Sequence, residues 1–429
     1  MRTEDRLNAG TKPPALVMNM FYTGLGVARS LGERGVPVLG LSNRRNLYGN
    51  FTRYAKTVIC PDSRDEPEAL LRFLVELGRK LNAQAVIFPT RDDDLVFLDR
   101  FRAELQPYFR IVAAETAPLE ACLDKWQTSQ WAIRAGVPAP KCWMVRERRD
   151  IERVAPEAVY PCVLKPLAAH YWRRGENWRL VGARKAVAIQ SERELRSEYA
   201  AIAQADERAL VQELIPGGDE NLAIAACYLD RQSRWVRGFN IRKLVQVPAG
   251  FGTGCIVESV HRPELFEPAE RLLRAMGFTG IAEVEFKWDA RDRQYKLIEV
   301  NPRPWDQHRL GSACGVDLIY AAYCDHAGIP APSFGPAVAG RKWIAEDTFL
   351  TTALRMLWRR DRRLFSLFRQ ARGKRIYAVW SWRDPAPWFV QMFGEFIPGL
   401  VAGGFRRLGG GVLSRRMDCH PAEARRSGI

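Results

Sequence analysis

"LIEVNPRPWDQHRL", residues 297–310, sets Glu299, Asn301 and Arg303 on alternate positions directly after an apolar run. In an extended chain that spacing sends all three side chains to one face. Upstream, "GIAEVEFKWD" (280–289) ends its own apolar alternation at Glu285, and "DARDRQ" (289–294) supplies a turn between the two runs. The pattern predicts an antiparallel hairpin with Glu285 and Glu299 roughly opposite each other. Two carboxylates facing across neighbouring strands repel. A divalent cation between them removes that cost, and Asn301 adds a hard oxygen. Magnesium takes about six oxygens at roughly 2.0–2.1 Å, from one or two carboxylates plus substrate phosphates. Two Glu and one Asn fit a magnesium–nucleotide site better than a zinc site, which would want His or Cys. Glu283 shares the face, either as outer support or as a solvated edge acid.

Phosphates at such a metal need cations on their other oxygens. Lys165 ends the buried strand expected at "YPCVLKP" (160–166), and Lys125 follows Asp124 at a helix start. Each is readable as an ordinary surface lysine on its own. Arg303, just past the metal ligands, suits bidentate binding of a carboxylate or a phosphoryl group.

Working outward, the first hundred residues alternate strand-like and helix-like stretches ("PALVMNM", "LGVARSLGERG", "VPVLGLS", "EPEALLRFLVELGRKLN", "AQAVIFPT"). This implies a parallel sheet covered by helices. "TGLGVARSLG" (23–32) contains a G-x-G, but Ser30 and Gly32 miss the rest of a dinucleotide fingerprint. A helix is expected from about Leu119 to Ala135, stopped by Gly136 with Pro138 and Pro140 beyond. "ALVQELIPGGDENLAIAACYL" (209–229) reads as strand, turn and strand, and the Pro-rich 328–340 as a linker out of the folded body.

A length of 429 residues predicts two or three domains, and 47% hydrophobic with 27% charged residues argues against global disorder. The nine cysteines are scattered without a C-x-x-C, which points to a reducing cytoplasm. The N-terminus carries acids without an apolar leader core, and no apolar stretch is of membrane-spanning length. Of the net charge of +16, residues 341–429 supply +11, with 18 Lys/Arg against 7 Asp/Glu. That concentration weakens a nucleic-acid role for the main body. Residues 348–372 place apolar side chains at 350, 354, 357, 364, 365 and 368, with arginines on the other face. Such a helix suits an anionic lipid interface; the competing expectation is a helical cap packed on the body.

The order "DKWQTSQWAIRAGVPAP" (124–140), "CVLKP" (162–166), "VQELIPGGDEN" (211–221) and "AEVEFKWD…LIEVNPRPW" (282–305) resembles the ATP-grasp superfamily of carboxylate–amine ligases. The likeness is strongest to its D-aspartate-ligase-like and carbamoyl-phosphate-synthase-like members, and runs from about Met20 to Gly328. It implies a mixed α/β and α+β architecture. Residues 1–115 would be a Rossmann-like preATP-grasp domain. Residues 116–335 would be an ATP-grasp domain, with a nucleotide-binding lobe over 116–210 and a metal and catalytic lobe over 211–335. Residues 341–429 would be a basic amphipathic extension.

The resemblance further implies that Lys125 and Lys165 contact ATP phosphates and that Glu213, Leu214 and Ile215 line the adenine slot. Asp219 or Glu220 would bind the ribose. Glu285, Glu299 and Asn301 would hold Mg²⁺, with Mn²⁺ as a substitute, and Arg303 would steady an acyl phosphate. Arg242, Lys243 and His308 are candidate substrate contacts, with a structural salt bridge as the alternative for the first two. The chain departs from the family where a Gly/Ser-rich phosphate loop belongs: "AAHYWRRGENWRL" (168–180) is bulky and basic, so His170, Arg173 or Arg174 stand where backbone contacts are usual.

The activity implied is amide or peptide-like bond formation between small-molecule or lipid-linked substrates, in the cytoplasm or at the inner face of the membrane. The alternatives are a bicarbonate-using carboxylase and a non-catalytic nucleotide-binding scaffold.

Overall fold

The computed structural model describes residues 12–172, 176–182 and 184–399. The N-terminal strands β1 (Ala15–Met18), β2 (Val38–Ser42), β3 (Lys56–Ile59), β4 (Ala85–Phe88) and β5 (Phe109–Ile111) form one parallel sheet in the order β3-β2-β1-β4-β5. β1, β2 and β4 are buried along their whole length. Their nearly unbroken apolar sequences are what a sheet covered on both faces requires. The chain runs from β1 outward through β2 to β3 and then crosses to β4 on the other side of β1, so the strand order reverses there and a crevice opens at the carboxyl ends of these strands.

The glycines that invited a dinucleotide reading serve packing here. A side chain at Gly24 would lie 1.8 Å from the Asn19 carbonyl oxygen, and one at Gly26 would lie 2.7 Å from Nε2 of His308. The helix Tyr22–Gly32 can therefore sit tight against the turn after β1.

Four antiparallel strands, β6 (Cys142–Val145), β7 (Cys162–Lys165), β8 (Val187–Ile189) and β9 (Ala209–Glu213), build a second sheet in the order β6-β9-β7-β8. It packs on the helices Ile151–Glu157 and Glu192–Ile202 through Val154, Leu164, Leu195 and Tyr199. The third sheet begins with β10 (Leu222–Leu229), β11 (Trp235–Val247), β12 (Thr253–Val260), β13 (Gly280–Asp289) and β14 (Gln294–Asn301). β13 and β14 form the expected hairpin, with Glu285 paired to Glu299 and Glu283 to Asn301. The strand–turn–strand expected over 209–229 is present, but its two strands join different sheets.

Two expectations are corrected. The single helix expected from Leu119 to Ala135 is two, Thr116–Leu123 and Lys125–Arg134. Asp124 breaks it because its carboxylate caps the second helix, accepting from the Gln127 amide at 2.9 Å. The Lys125 amide is then diverted to the Leu167 carbonyl at 2.8 Å, tying this helix start to the segment after β7.

The second correction concerns the C-terminal region. Beyond the Pro-rich stretch the chain returns to the body: β15 (Lys342–Ile344) pairs with β12 and β16 (Arg375–Tyr377) with β15, completing a seven-stranded sheet. Trp343 is fully buried there. Arg29 and Asp384 form a buried ion pair at 2.9 Å, and Tyr22 hydrogen-bonds to Asp347. The amphipathic stretch forms two helices, Glu346–Trp358 and Arg363–Gln370, whose inward residues are Thr351, Thr352, Ala353 and Leu367. The predicted apolar face is largely turned outward: Leu350, Leu357, Phe365 and Phe368 are exposed. Residues 400–429 lie outside the described residues.

Candidate functional site

A cavity of about 1090 Å³ opens where the three sheets meet. The first sheet contributes its carboxyl-end residues Asn19, Arg44 and Asp92; the second, Lys165 and Gln212; the third, Lys243, Glu283, Glu285, Glu299 and Asn301. Lys243 comes from β11, and alternation along β13 and β14 explains the other four of the last group. Residues 283, 285 and 287 share one face, and the pairing of Glu285 with Glu299 and Glu283 with Asn301 stacks their partners beside them.

The carboxylates are met by cations from two directions. Lys125 Nζ lies 3.1 Å from Glu299 Oε1, and Lys243 Nζ lies 2.5 Å from Glu285 Oε2. Burial pushes the Glu299 carboxyl up, but Lys125 and Lys165 outweigh it and hold it at about 2. Burial dominates at Glu283, whose carboxyl is raised to about 7 against the pull of Lys243. Burial also lowers Lys165, partly offset by Glu299, while its ammonium donates to Gln212 Oε1 at 2.6 Å. For Lys243 the order reverses: burial lowers it, yet Glu285 and Glu283 raise it overall.

Arg303 lies on the cavity wall with its Nε 2.6 Å from Asp92 Oδ1, which bridges the third sheet to the first. Among the described residues no group of three His, Cys, Asp or Glu side chains is gathered as a ready-made metal centre. Glu285, Glu299 and the amide of Asn301 instead present three oxygen donors on one stretch of the cavity wall. This suits a magnesium ion that completes its shell with phosphate and water oxygens.

The structure brings most sequence-predicted residues to this cavity and sends three elsewhere. Glu213, Leu214 and Ile215 line it at the end of β9. The Glu213 carboxylate turns to Arg291 at 2.6 Å, and the Leu214 amide donates to the Pro161 carbonyl at 3.1 Å. Asp219 lines the cavity and accepts from Gln246 Nε2 at 2.8 Å, whereas Glu220 is exposed beside it.

Arg242 is not a cavity residue. It alternates to the opposite face from Lys243 and pairs with Glu258 at 2.6 Å, the salt-bridge alternative. His308 does not line the cavity either: its Nε2 sits 3.1 Å from the Thr23 carbonyl oxygen behind the wall, and burial lowers its imidazole to about 4. For the bulky loop, the side chain of His170 together with Arg173 and Arg174 lies outside the described residues. Trp172 and Trp178 are buried and line the cavity.

Sequence reasoning missed Lys287, which lines the cavity and donates to the Gly217 carbonyl at 2.8 Å. Its i+2 spacing from Glu285 was the available signal. It also missed Asp92 and Asp93 after β4, and Glu395 from near the end of the described chain. These have no local pattern that announces them.

The family model described as carbamoyl-phosphate synthase L chain, ATP binding domain, matches residues 253–329, the stretch holding Glu285, Glu299, Asn301 and Arg303. The D-aspartate ligase of Enterococcus faecium (strain Aus0004) is 24% identical over 267 residues, covering 59% of this chain and 62% of that protein. The chain thus spans less than two thirds of the length of that curated relative.

Among solved structures, the biotin carboxylase domain of Hydrogenobacter thermophilus 2-oxoglutarate carboxylase, in complex with MgADP, ADP and bicarbonate, superposes with a TM-score of 0.61 at 16% identity, over 77% of this chain and 73% of that one. The L-amino acid ligase of Bacillus licheniformis superposes with a TM-score of 0.57 at 14% identity, over 74% and 75%. At such identities the structural likeness shows the fold. The chain has the ATP-grasp fold and resembles the carboxylate–amine ligases of that superfamily.

Proposed function

We propose that this protein is an ATP- and Mg²⁺-dependent ligase that activates a carboxylate as its acyl phosphate and joins it to an amine. One observation carries the reading: Lys125 and Lys165 face Glu285, Glu299, Asn301 and Arg303 across a single cavity. The likeness to a D-aspartate ligase and an L-amino acid ligase supports an amino acid as one of the two molecules joined.

A carboxylate is a poor electrophile, so its oxygen must first attack the γ-phosphoryl group and expel ADP. Lys125 and Lys165 would draw charge from the phosphate oxygens in that step, and Arg303 would steady the acyl phosphate. The amine then attacks the acyl carbon and inorganic phosphate leaves. Magnesium, or manganese in its place, would supply further charge neutralisation at the triphosphate, held by Glu285, Glu299 and Asn301. Glu213, Leu214 and Ile215 would line the adenine, and Asp219 would reach the ribose. Closure of the two lobes over ATP would keep water from the acyl phosphate.

In this reading residues 1–115 form the preATP-grasp domain, with the nucleotide-binding lobe over 116–210 and the metal and catalytic lobe over 211–335. The described part of 341–429 adds to the last of these. The finer proposal is a cytoplasmic protein peripheral to the inner face of a membrane, with a lipid-linked or envelope-derived substrate. The outward apolar side chains of residues 350–397 support it.

The test is ADP release from ATP, screened against amino acids in pairs. Stimulation that requires both a carboxylate and an amine is expected. Stimulation by bicarbonate alone would turn the assignment to a carboxylase, and no stimulation by any partner would favour a scaffold.

A further inference from the structure

The last described segment has two faces that look at different things. A short helix, Ala386–Phe389, runs on into a π-helical stretch, Val390–Phe396. On the inner side Gln391 and Met392 are buried, Gln391 donates to Asp347 Oδ2 at 3.0 Å, and Glu395 and Gly399 line the cavity. On the outer side Phe389, Phe393 and Ile397 follow one another at every fourth position and are 48%, 62% and 42% exposed.

These residues are the edge of an aromatic cluster. Trp380 meets Trp382 at 4.9 Å and Trp388 at 5.1 Å between ring centroids, Trp388 meets Phe389 at 5.3 Å, and Phe389 stacks on Phe393 at 6.2 Å. Trp382 is 86% exposed. The helices Glu346–Trp358 and Arg363–Gln370 likewise turn Leu357, Trp358, Phe365 and Phe368 outward.

Charge selects the partner. Residues 346–397 hold ten Lys/Arg and five Asp/Glu. Glu346, Asp347 and Asp384 are buried, Glu395 faces the cavity, and Asp361 is bound by Arg363 at 2.6 Å. The charge left at this surface is cationic. A second copy of the chain would bring like charge to like charge. Nucleic acid matches the charge but has no use for exposed Leu357 and Ile397. Tryptophan and phenylalanine interleaved with arginine fit the headgroup layer of an anionic bilayer, where indoles sit at the interface and cations meet phosphates.

We propose that the outer face of residues 380–397 docks on an anionic lipid bilayer, with the arginine-rich helices 346–370 adding to the attachment. The consequence for substrate rests on the ligase reading. Because the docking element also turns Glu395 into the cavity, this side of the site would lie against the headgroups, and one of the two joined molecules would be lipid-anchored.

The experiment is co-sedimentation of the full chain with vesicles of phosphatidylglycerol and phosphatidylcholine, against pure phosphatidylcholine, at low and high salt. Binding only to the anionic vesicles, weakened by salt, is expected. Phe389→Ser with Phe393→Ser, and separately Trp382→Ser, should each weaken it by about tenfold or more per ring removed. Retained binding of a fluorescent ATP analogue by these variants would show that they fold. Unaltered sedimentation of the variants, or equal binding to neutral vesicles, would overturn the proposal. A concentration-dependent dimer lost in the variants would also overturn it and assign the face to a second copy. The two readings fail separately: vesicle binding without substrate-dependent ADP release leaves docking and removes the ligase, and ADP release without vesicle binding does the reverse.

Discussion

The β13–β14 hairpin and residues 346–397 break the ordinary rule of burial in opposite directions. The hairpin turns carboxylates inward: Glu283 and Glu285 are buried at the cavity wall, Glu285 is met by Lys243, and Glu299 beside them is met by Lys125. The C-terminal region turns large apolar side chains outward, with Trp382 and Phe365 more than 80% exposed. Charged groups are seldom buried unless paired, and scattered exposed apolar residues are common, whereas a cluster of them is not. Each inversion is costly unless a partner completes it. For the hairpin the partner proposed above is a metal-bearing triphosphate; for the C-terminal face it is an anionic bilayer.

The largest effect is expected at Glu299. Glu299→Gln keeps the shape and removes one charge from the metal side of the cavity, so ADP release should fall on the order of 10²–10³-fold with the thermal midpoint little changed. Unchanged turnover would remove the hairpin from the chemistry. Lys165→Met should lower turnover by about 10²-fold. A matching loss of affinity for a fluorescent ATP analogue would show that the lysine meets the nucleotide.

Asp384→Asn asks whether the C-terminal region belongs to the body. Its carboxylate receives Arg29 Nε at 2.9 Å and the Thr52 hydroxyl at 2.6 Å in a fully buried setting. Losing that charge should cost about 3–5 kcal/mol of stability, read by urea unfolding. A loss under about 1 kcal/mol would mean that this segment is an appendage after all.

A fourth test is pH. The Glu283 carboxyl rises from its ordinary 4.5 to about 7 on folding, because burial disfavours its charge. Its contribution to stability is therefore complete below about pH 4.5 and fades as pH climbs through 7. Stability without nucleotide or metal should fall over that window by roughly 3 kcal/mol, and Glu283→Gln should flatten the slope. The smallest effect is expected at Arg242. Arg242→Ala breaks an exposed pair with Glu258 away from the cavity, so turnover should stay within about twofold and stability within about 1 kcal/mol.

The sequence alone determined the hairpin, its facing carboxylates and the parallel first sheet, because alternation along a strand and strand–helix periodicity are local properties. Asp124 was readable as a helix cap, though the chain pattern around it looked like one continuous helix. Which distant charges meet depended instead on long-range packing. Lys125, Lys165 and Glu299 come from different elements, and Arg303 finds Asp92 across 211 residues of chain. The three-residue strands β15 and β16 are too short to declare themselves, and exist because β12 offers an open edge for pairing. The outward turn of Phe365 and Phe389 was equally hidden. Periodicity shows that a helix has an apolar face; only the packing of its neighbours decides which way that face looks.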